Sequence, residues 1–153
     1  MIYLAALGIC IVGAAFEGLC AGRDPMAQLR QTRQPRWSPP NKVWIAIGIA
    51  WYVGCFVALV RLLPNRPRSG VAVVLLLALM AANGFANVLG FRLKRLDWAF
   101  YFFAPYWLLL GAFMVQACRI DQVTCVLFAL YAAYQLYAVV WAFSLWRMNP
   151  RRP

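Results

Sequence analysis

Four stretches of this chain run for the length of a membrane crossing without one charged residue: Val43 to Val60, Ser69 to Phe91, Trp98 to Cys118 and Gln122 to Trp146. A hydrocarbon core roughly 30 Å thick needs about 20 apolar residues in a helix to span it. A fifth segment, Met1 to Gly22, is equally apolar except for Glu17, and it lacks the positively charged start of a cleavable signal peptide. It is read as the first membrane helix. Backbone amides in lipid must bond within their own segment, and no alternating barrel pattern is present, so the runs are helices. The fold class expected is an all-α integral membrane protein, a five-helix bundle in one domain, with spans near 2–22, 43–61, 70–91, 97–117 and 122–146. A soluble fold is excluded on the same grounds, because 65% hydrophobic against 12% charged residues leaves too little polar surface to cover it.

The formal net charge of +11 comes from 15 Lys/Arg against 4 Asp/Glu, and its distribution reads as topology. Arg61, Arg66, Arg68 and Arg119, four in all, fall on the side of the second and fourth loops. The other eleven fall on the opposite side: Arg23, Arg30, Arg33, Arg36 and Lys42 in the first loop, Arg92, Lys94 and Arg95 in the third, and Arg147, Arg151 and Arg152 in the tail. The positive-inside rule predicts that the first and third loops and the C-terminus are cytoplasmic. The charge then serves orientation and anionic headgroups of the lipid bilayer, with no nucleic acid as partner.

The chain has no histidine, which removes the usual general base and the usual ligand for zinc, copper or haem iron. No metal site is expected. Cys10, Cys20, Cys55, Cys118 and Cys125 form no C-x-x-C pair and lie in or beside apolar runs. They read as small buried side chains, and the spacing offers no support for disulfides.

Within the spans, small and polar residues carry the information. Ala46, Ala50, Gly54 and Ala58 recur every four residues on the second membrane helix, and Ala82, Ala86 and Gly90 do so on the third. Such ridges pack helices within a bundle or between the copies of a homodimer. Asn83 and Asn87 share a face of the third helix and serve either as interhelical glue or as polar groups lining a pocket. Tyr131, Tyr134, Ala138, Trp141 and Leu145 form a stripe on the fifth, with Ala138 a notch between bulky neighbours and Gln135 one residue off it. Trp37, Trp44 and Trp51 recur every seven residues, so the last two share a face. Such a stripe packs a bundle, forms an interface belt, or walls a site for a flat, mostly apolar ligand.

Glu17 is the only carboxylate within a span. Helical rise puts it roughly 22 to 24 Å along the first helix, near the interface and within reach of Arg23. An ion pair or a snorkelling side chain is expected there, with a functional carboxylate as the alternative. Pro105 is expected to kink the fourth span. The first loop, 23–42, is long enough to be a lid, and its end reads Pro35-Arg36-Trp37-Ser38-Pro39-Pro40-Asn41.

That string resembles the P-x-W-x-P-P segment opening the second helix of the TspO/MBR family, the tryptophan-rich sensory proteins and translocator proteins. Asn83 falls where the family has the Asn of its L-N-x-x-W pattern, and Phe91-Arg92-Leu93-Lys94-Arg95 resembles the basic turn that follows. Tyr131, Ala138 and Trp146-Arg147-Met148-Asn149 match the family's closing register. The sequence departs from that pattern at Gly48, Ala86 and Tyr134, where the family writes tryptophan, and keeps only half of a paired Phe as Gly90-Phe91.

The resemblance implies a receptor-like membrane protein that binds a tetrapyrrole, or a sterol-like or other flat lipophilic ligand, in its bundle cavity, with a regulatory or transport role. It carries over Trp37, Pro39, Pro40, Asn83, Tyr131 and Ala138, with Tyr134 as a substituted position, beside Trp51, Asn87 and Trp141 from the reading of the spans. Arg30, Arg33, Arg36 and Lys42 are expected at the mouth, facing ligand carboxylates. No Tyr is followed closely by Lys/Arg, so a cholesterol-recognition pattern is lacking. No cofactor is required, and without histidine the expected occupant is a metal-free porphyrin or a weakly held haem. The alternative is an intramembrane enzyme acting on an isoprenoid or porphyrin, with Glu17 or Asp24 in proton transfer. A transporter subunit is disfavoured, because five spans carry no internal repeat.

Overall fold

The computed structural model describes residues 1–150, apart from the side chains of Met26, Gln28 and Arg66; Arg151 and Arg152 of the basic tail lie outside the described residues. Helices α1 (Ile2–Ala21), α2 (Pro25–Gln31) and α3 (Asn41–Leu62) lead through a 3-10 turn at Leu63–Asn65 into α4 (Arg66–Asn87). A π-helical turn at Val88–Arg92, α5 (Leu96–Tyr101), α6 (Phe103–Ile120) and α7 (Gln122–Met148) complete the chain, with no strand among the described residues. Five helical stretches are long and apolar enough to cross a membrane, α5 and α6 together forming the fourth. Side chains such as Leu4, Val12, Leu19, Val53, Val74, Leu108 and Leu130 point outward. Hydrocarbon solvates them, so the apolar exterior is the normal surface of a membrane bundle.

Local chemistry sets the breaks. α1 stops at Gly22, whose φ of 89° suits a residue without a Cβ. Asp24 then caps α2 by accepting from the Ala27 amide at 2.8 Å, with Pro25 at the first helical position. The fourth span breaks at Phe102, three residues before Pro105. A proline ring clashes with the carbonyl four residues back, here Tyr101, so α5 ends where that clash falls.

The helices are arranged as a ring, α1–α3–α7–α6–α4 and back to α1. α1 and α4 cross at glycines: a Cβ on Gly84 would lie 2.6 Å from the Phe16 ring, and one on Gly13 would lie 2.5 Å from Met80 Cε. The ring is filled at one end only. Towards the second and fourth loops, Cys55, Leu59, Leu62, Leu76, Leu79, Leu110, Phe113 and Phe128 form a dense core. Phe113 and Phe128 meet edge to face at 4.5 Å. The small ridge of α3 is not a continuous packing seam, for Ala58 is buried while Ala46 and Ala50 face outward. On the third span, Ala86 and Gly90 face a cavity.

The packed end is also stapled, and here the expectation for the cysteines is corrected. Cys118 and Cys125 form a disulfide across the turn from α6 to α7. The chain reverses between them, which brings residues seven apart in sequence to a Cα separation of 4.6 Å. Cys10, Cys20 and Cys55 are free and buried, as expected. Asp121 in the same turn takes Arg61 Nη2 and Nε, each at 2.7 Å, and caps α7 by accepting from the Thr124 amide and hydroxyl. The Arg61 guanidinium beside it holds the Asp121 carboxyl well below the usual carboxylate range.

Candidate functional site

The other end of the ring is hollow. It holds a cavity of about 720 Å³, reached by residues of α1, α3, α4 and α7 and roofed by α2 and the segments around it. Its two long walls differ in chemistry.

One wall is aromatic and comes from α3 and α7. Trp51 packs on Tyr131 with ring centroids 4.4 Å apart and an interplanar angle of 31°. Trp44 and Trp141 meet one level higher, at 4.6 Å. Tyr134 lies 6.0 Å from Tyr131, and Ala138 leaves the notch between them and Trp141. The polar atoms behind this wall are largely satisfied: the Tyr106 and Tyr131 hydroxyls share a hydrogen bond of 2.6 Å, and Gln135 donates to Tyr131. Two are not. The indole Nε1 atoms of Trp44 and Trp51 are buried and have no partner. An N–H left without an acceptor costs about 1–3 kcal/mol, so the two indoles are held in place by ring packing against the cost of their unmet donors.

The opposite wall is polar and comes from α1 and α4, with Glu17, Asn83 and Asn87. Glu17 does not pair with Arg23 and does not snorkel, contrary to the sequence expectation. It turns into the bundle, where Oε2 accepts from the Tyr52 hydroxyl at 2.7 Å and Oε1 from Asn87 Nδ2 at 3.1 Å. Helical rise fixes its height along α1 but carries no information on which way the side chain faces. Asn87 is thus both glue and cavity lining. Asp24, the other candidate acid, caps α2 and does not line the cavity.

The roof is the first loop. Trp37, Pro39 and Pro40 do not line the cavity; they shape the loop above it. Trp37 meets Tyr137 edge-on at 5.5 Å, and Pro40 is extended at the start of α3. The loop is tied to α7 and its C-cap at three points, the first being the Tyr137 hydroxyl, which donates to the Trp37 carbonyl at 3.5 Å. Trp141 Nε1 donates to Ser38 Oγ at 3.0 Å, while the Asn149 side chain accepts from the Arg33 amide at 2.9 Å and donates to its carbonyl at 3.0 Å. The expected basic mouth is different as well. Arg30, Arg33, Arg36 and Lys42 are exposed and none lines the cavity; the cation at its rim is Lys94, from the third loop.

Of the sequence-derived ligand residues, the structure therefore brings Trp51, Asn83, Asn87, Tyr131, Tyr134, Ala138 and Trp141 to one cavity and leaves Trp37, Pro39 and Pro40 in its roof. Trp44 and Lys94 were not singled out, although the seven-residue spacing already put Trp44 on the face of Trp51. Gly48, Ala86 and Tyr134, where the family pattern has indoles, all border the cavity, and a Cβ on Gly48 would meet nothing within 4 Å.

Fold and site together define a class: a five-span α-helical membrane protein with an aromatic-walled cavity beneath a tethered loop. The model of the TspO/MBR family matches residues 6–147. The chain belongs to the TspO/MBR family. Comparison with curated proteins gives no match.

Proposed function

We propose that this protein is a receptor-like membrane protein that holds a tetrapyrrole, or a similar flat lipophilic ligand, in the cavity, with a regulatory or transport role. The observation that carries this reading is the cavity itself. Its 720 Å³ falls within the roughly 300–1,000 Å³ of small-molecule sites, and its lining combines aromatic rings with the polar side chains of Asn83, Asn87 and Glu17. Among the described residues the lining contains no histidine, cysteine or methionine, the commonest axial ligands of haem iron, and its Tyr131 hydroxyl is already engaged by Tyr106 and Gln135, so a metal-free porphyrin suits it better than a tightly ligated haem. Lys94 at the rim is placed to meet a ligand carboxylate.

The orientation proposed puts the first and third loops and the C-terminus in the cytoplasm. Besides the charge count, the Cys118–Cys125 disulfide supports it, because such bonds persist in oxidising compartments and this one sits at the fourth loop. A homodimer through the exposed face of α3 around Ala46 and Ala50 is compatible with this arrangement.

Titration of the purified protein with protoporphyrin tests the binding reading. Saturable quenching of tryptophan emission is expected, since Trp44, Trp51 and Trp141 line the site. Ala138→Trp should fill the notch in the aromatic wall and weaken binding by about tenfold or more, the loss of about 1.4 kcal/mol of contact. Absence of saturation in the parent protein would sink the reading. The enzymatic alternative now rests on Glu17 alone, since Asp24 is committed to a cap. Turnover of an isoprenoid or porphyrin that disappears in Glu17→Gln would favour it; no new product would count against it.

A further inference from the structure

Among the described residues one carboxylate lines the cavity, and no cation pairs with it. Glu17 forms no ion pair among the described residues, and the only other charged side chain lining the cavity, Lys94, is exposed at the rim. A carboxylate within a membrane-spanning helix is costly unless a cation or a full set of donors meets it. Tyr52 and Asn87 each donate once, to different oxygens, which fixes the carboxyl plane and leaves further lone pairs open. Glu17 cannot swing out to the headgroups without breaking both bonds.

What faces it across the cavity is a surface that favours cations. The rings of Trp44, Trp51, Tyr131, Tyr134 and Trp141 line it, and desolvated cation–π contacts with indole and phenol rings are the strongest of their kind. Trp51 is 5% exposed and packs on Tyr131 with ring centroids 4.4 Å apart. A fixed carboxylate facing an aromatic wall describes a specific occupant.

We infer that this cavity is a site for flat lipophilic organic cations, with Glu17 as counter-charge and the α3 and α7 rings as the facing surface. This rests on the reading of the cavity as a ligand site and names a ligand charge for it. A quaternary nitrogen within a fused aromatic system satisfies Glu17 and the rings together. Lys94 opposes such a cation only at the rim, where water screens it.

The test uses the whole protein in a non-ionic detergent and two compounds of one ring system. Berberine is a permanent planar cation with ether oxygens, and 8-oxoberberine is its neutral lactam. Quenching of tryptophan emission should show saturable berberine binding, about tenfold tighter than 8-oxoberberine, as a charge-assisted contact requires. Glu17→Gln should erase that preference and leave 8-oxoberberine within about twofold, the scatter of a neutral contact. Lys94→Gln, outside the spans, should tighten berberine slightly and serves as a check that does not depend on the fold of α1. Equal affinity of the two compounds for the parent protein, or a preference that survives Glu17→Gln, overturns the inference. Protoporphyrin binding without berberine binding would overturn it and leave the tetrapyrrole reading standing. Berberine binding without protoporphyrin binding would support it and remove that reading.

Discussion

Gly84 is one of the two glycines at which α1 and α4 cross in contact, and adding one methyl there tests how the polar wall is held. A Cβ would lie 2.6 and 2.9 Å from two carbons of the Phe16 ring, and 3.5 Å from Cys20 Sγ. Carbon atoms in contact settle about 3.5–4.0 Å apart, so the ring and the α4 backbone must separate by about 1 Å. Overpacking of this kind costs about 1–3 kcal/mol. Phe16 is half exposed and can turn partly towards lipid, which places the cost near the lower end. Alanine also gains about 0.5–1 kcal/mol over glycine inside any helix. Comparing Gly84→Ala with Gly111→Ala cancels that gain, because a Cβ on Gly111 meets nothing within 4 Å. The difference isolates the crossing and should be about 1–2 kcal/mol, or roughly 2–8 °C in melting temperature for a chain of this length. A thiol-reactive dye reports it, since Cys10, Cys20 and Cys55 are free and buried until the bundle opens. Phe16 adjoins Glu17, and Asn87 lies one turn after Gly84, so Gly84→Ala should also loosen the 3.1 Å contact between them. Two variants melting together would refute the claim that this crossing is close-packed.

Three other outcomes follow from the ends of the bundle. Asp121 has its pKa lowered in the folded protein, so its contribution to stability is complete above the ordinary carboxylate range and is lost as the pH falls through it towards the folded value. Asp121→Asn should therefore lower the melting temperature at pH 7, only modestly because Arg61 is half exposed and solvent screens the pair, and the gap should close in strong acid; a gap independent of pH would contradict the ion pair. Denatured but unreduced protein should alkylate at three of its five cysteines and at all five after reduction, read by mass; five without reduction would exclude the Cys118–Cys125 bond. Asn149→Ala should speed amide hydrogen exchange at Arg33 and the roof around it without altering exchange in α6, and unchanged protection at Arg33 would show that the tether does not hold the loop.

The five spans were legible because hydrocarbon makes a single demand, long uncharged helices, and the sequence meets it five times over. The aromatic stripe of α7 was legible for a similar reason: residues at helical spacing share a face whatever surrounds them. What the sequence did not convey were contacts between distant segments. Tyr52 and Glu17 are 35 residues apart, and nothing local marks either as the other's partner. The disulfide escaped because spacing rules for cysteine pairs describe one continuous turn, whereas Cys118 and Cys125 flank a reversal. The rim cation escaped because loop charge was weighed by abundance, five basic residues in the first loop against three in the third. Position decided it instead: Lys94, with a φ of 50°, sits just past the π-helical turn that borders the cavity.

The hollow end persists although glycine and alanine stand at Gly48 and Ala86, where the family pattern has indoles. A soluble core would close on such a gap, driven by the exclusion of water, but in lipid that drive between helices is lacking and packing contacts alone set their spacing. Here those contacts lie at both ends and along one side. Phe113 and Phe128 with the leucines around them fix the helices at the packed end, and the Ser38 and Asn149 tethers fix the roof. Between them, the Trp44–Trp141 and Trp51–Tyr131 pairs act as spacers that hold α3 and α7 a ring's width apart. α1 meanwhile cannot slide inward, because its crossing with α4 is already at contact distance through Gly13 and Gly84. The space left at Gly48 and Ala86 is thus built into the frame, and the rings that would have filled it are replaced by rings on its walls.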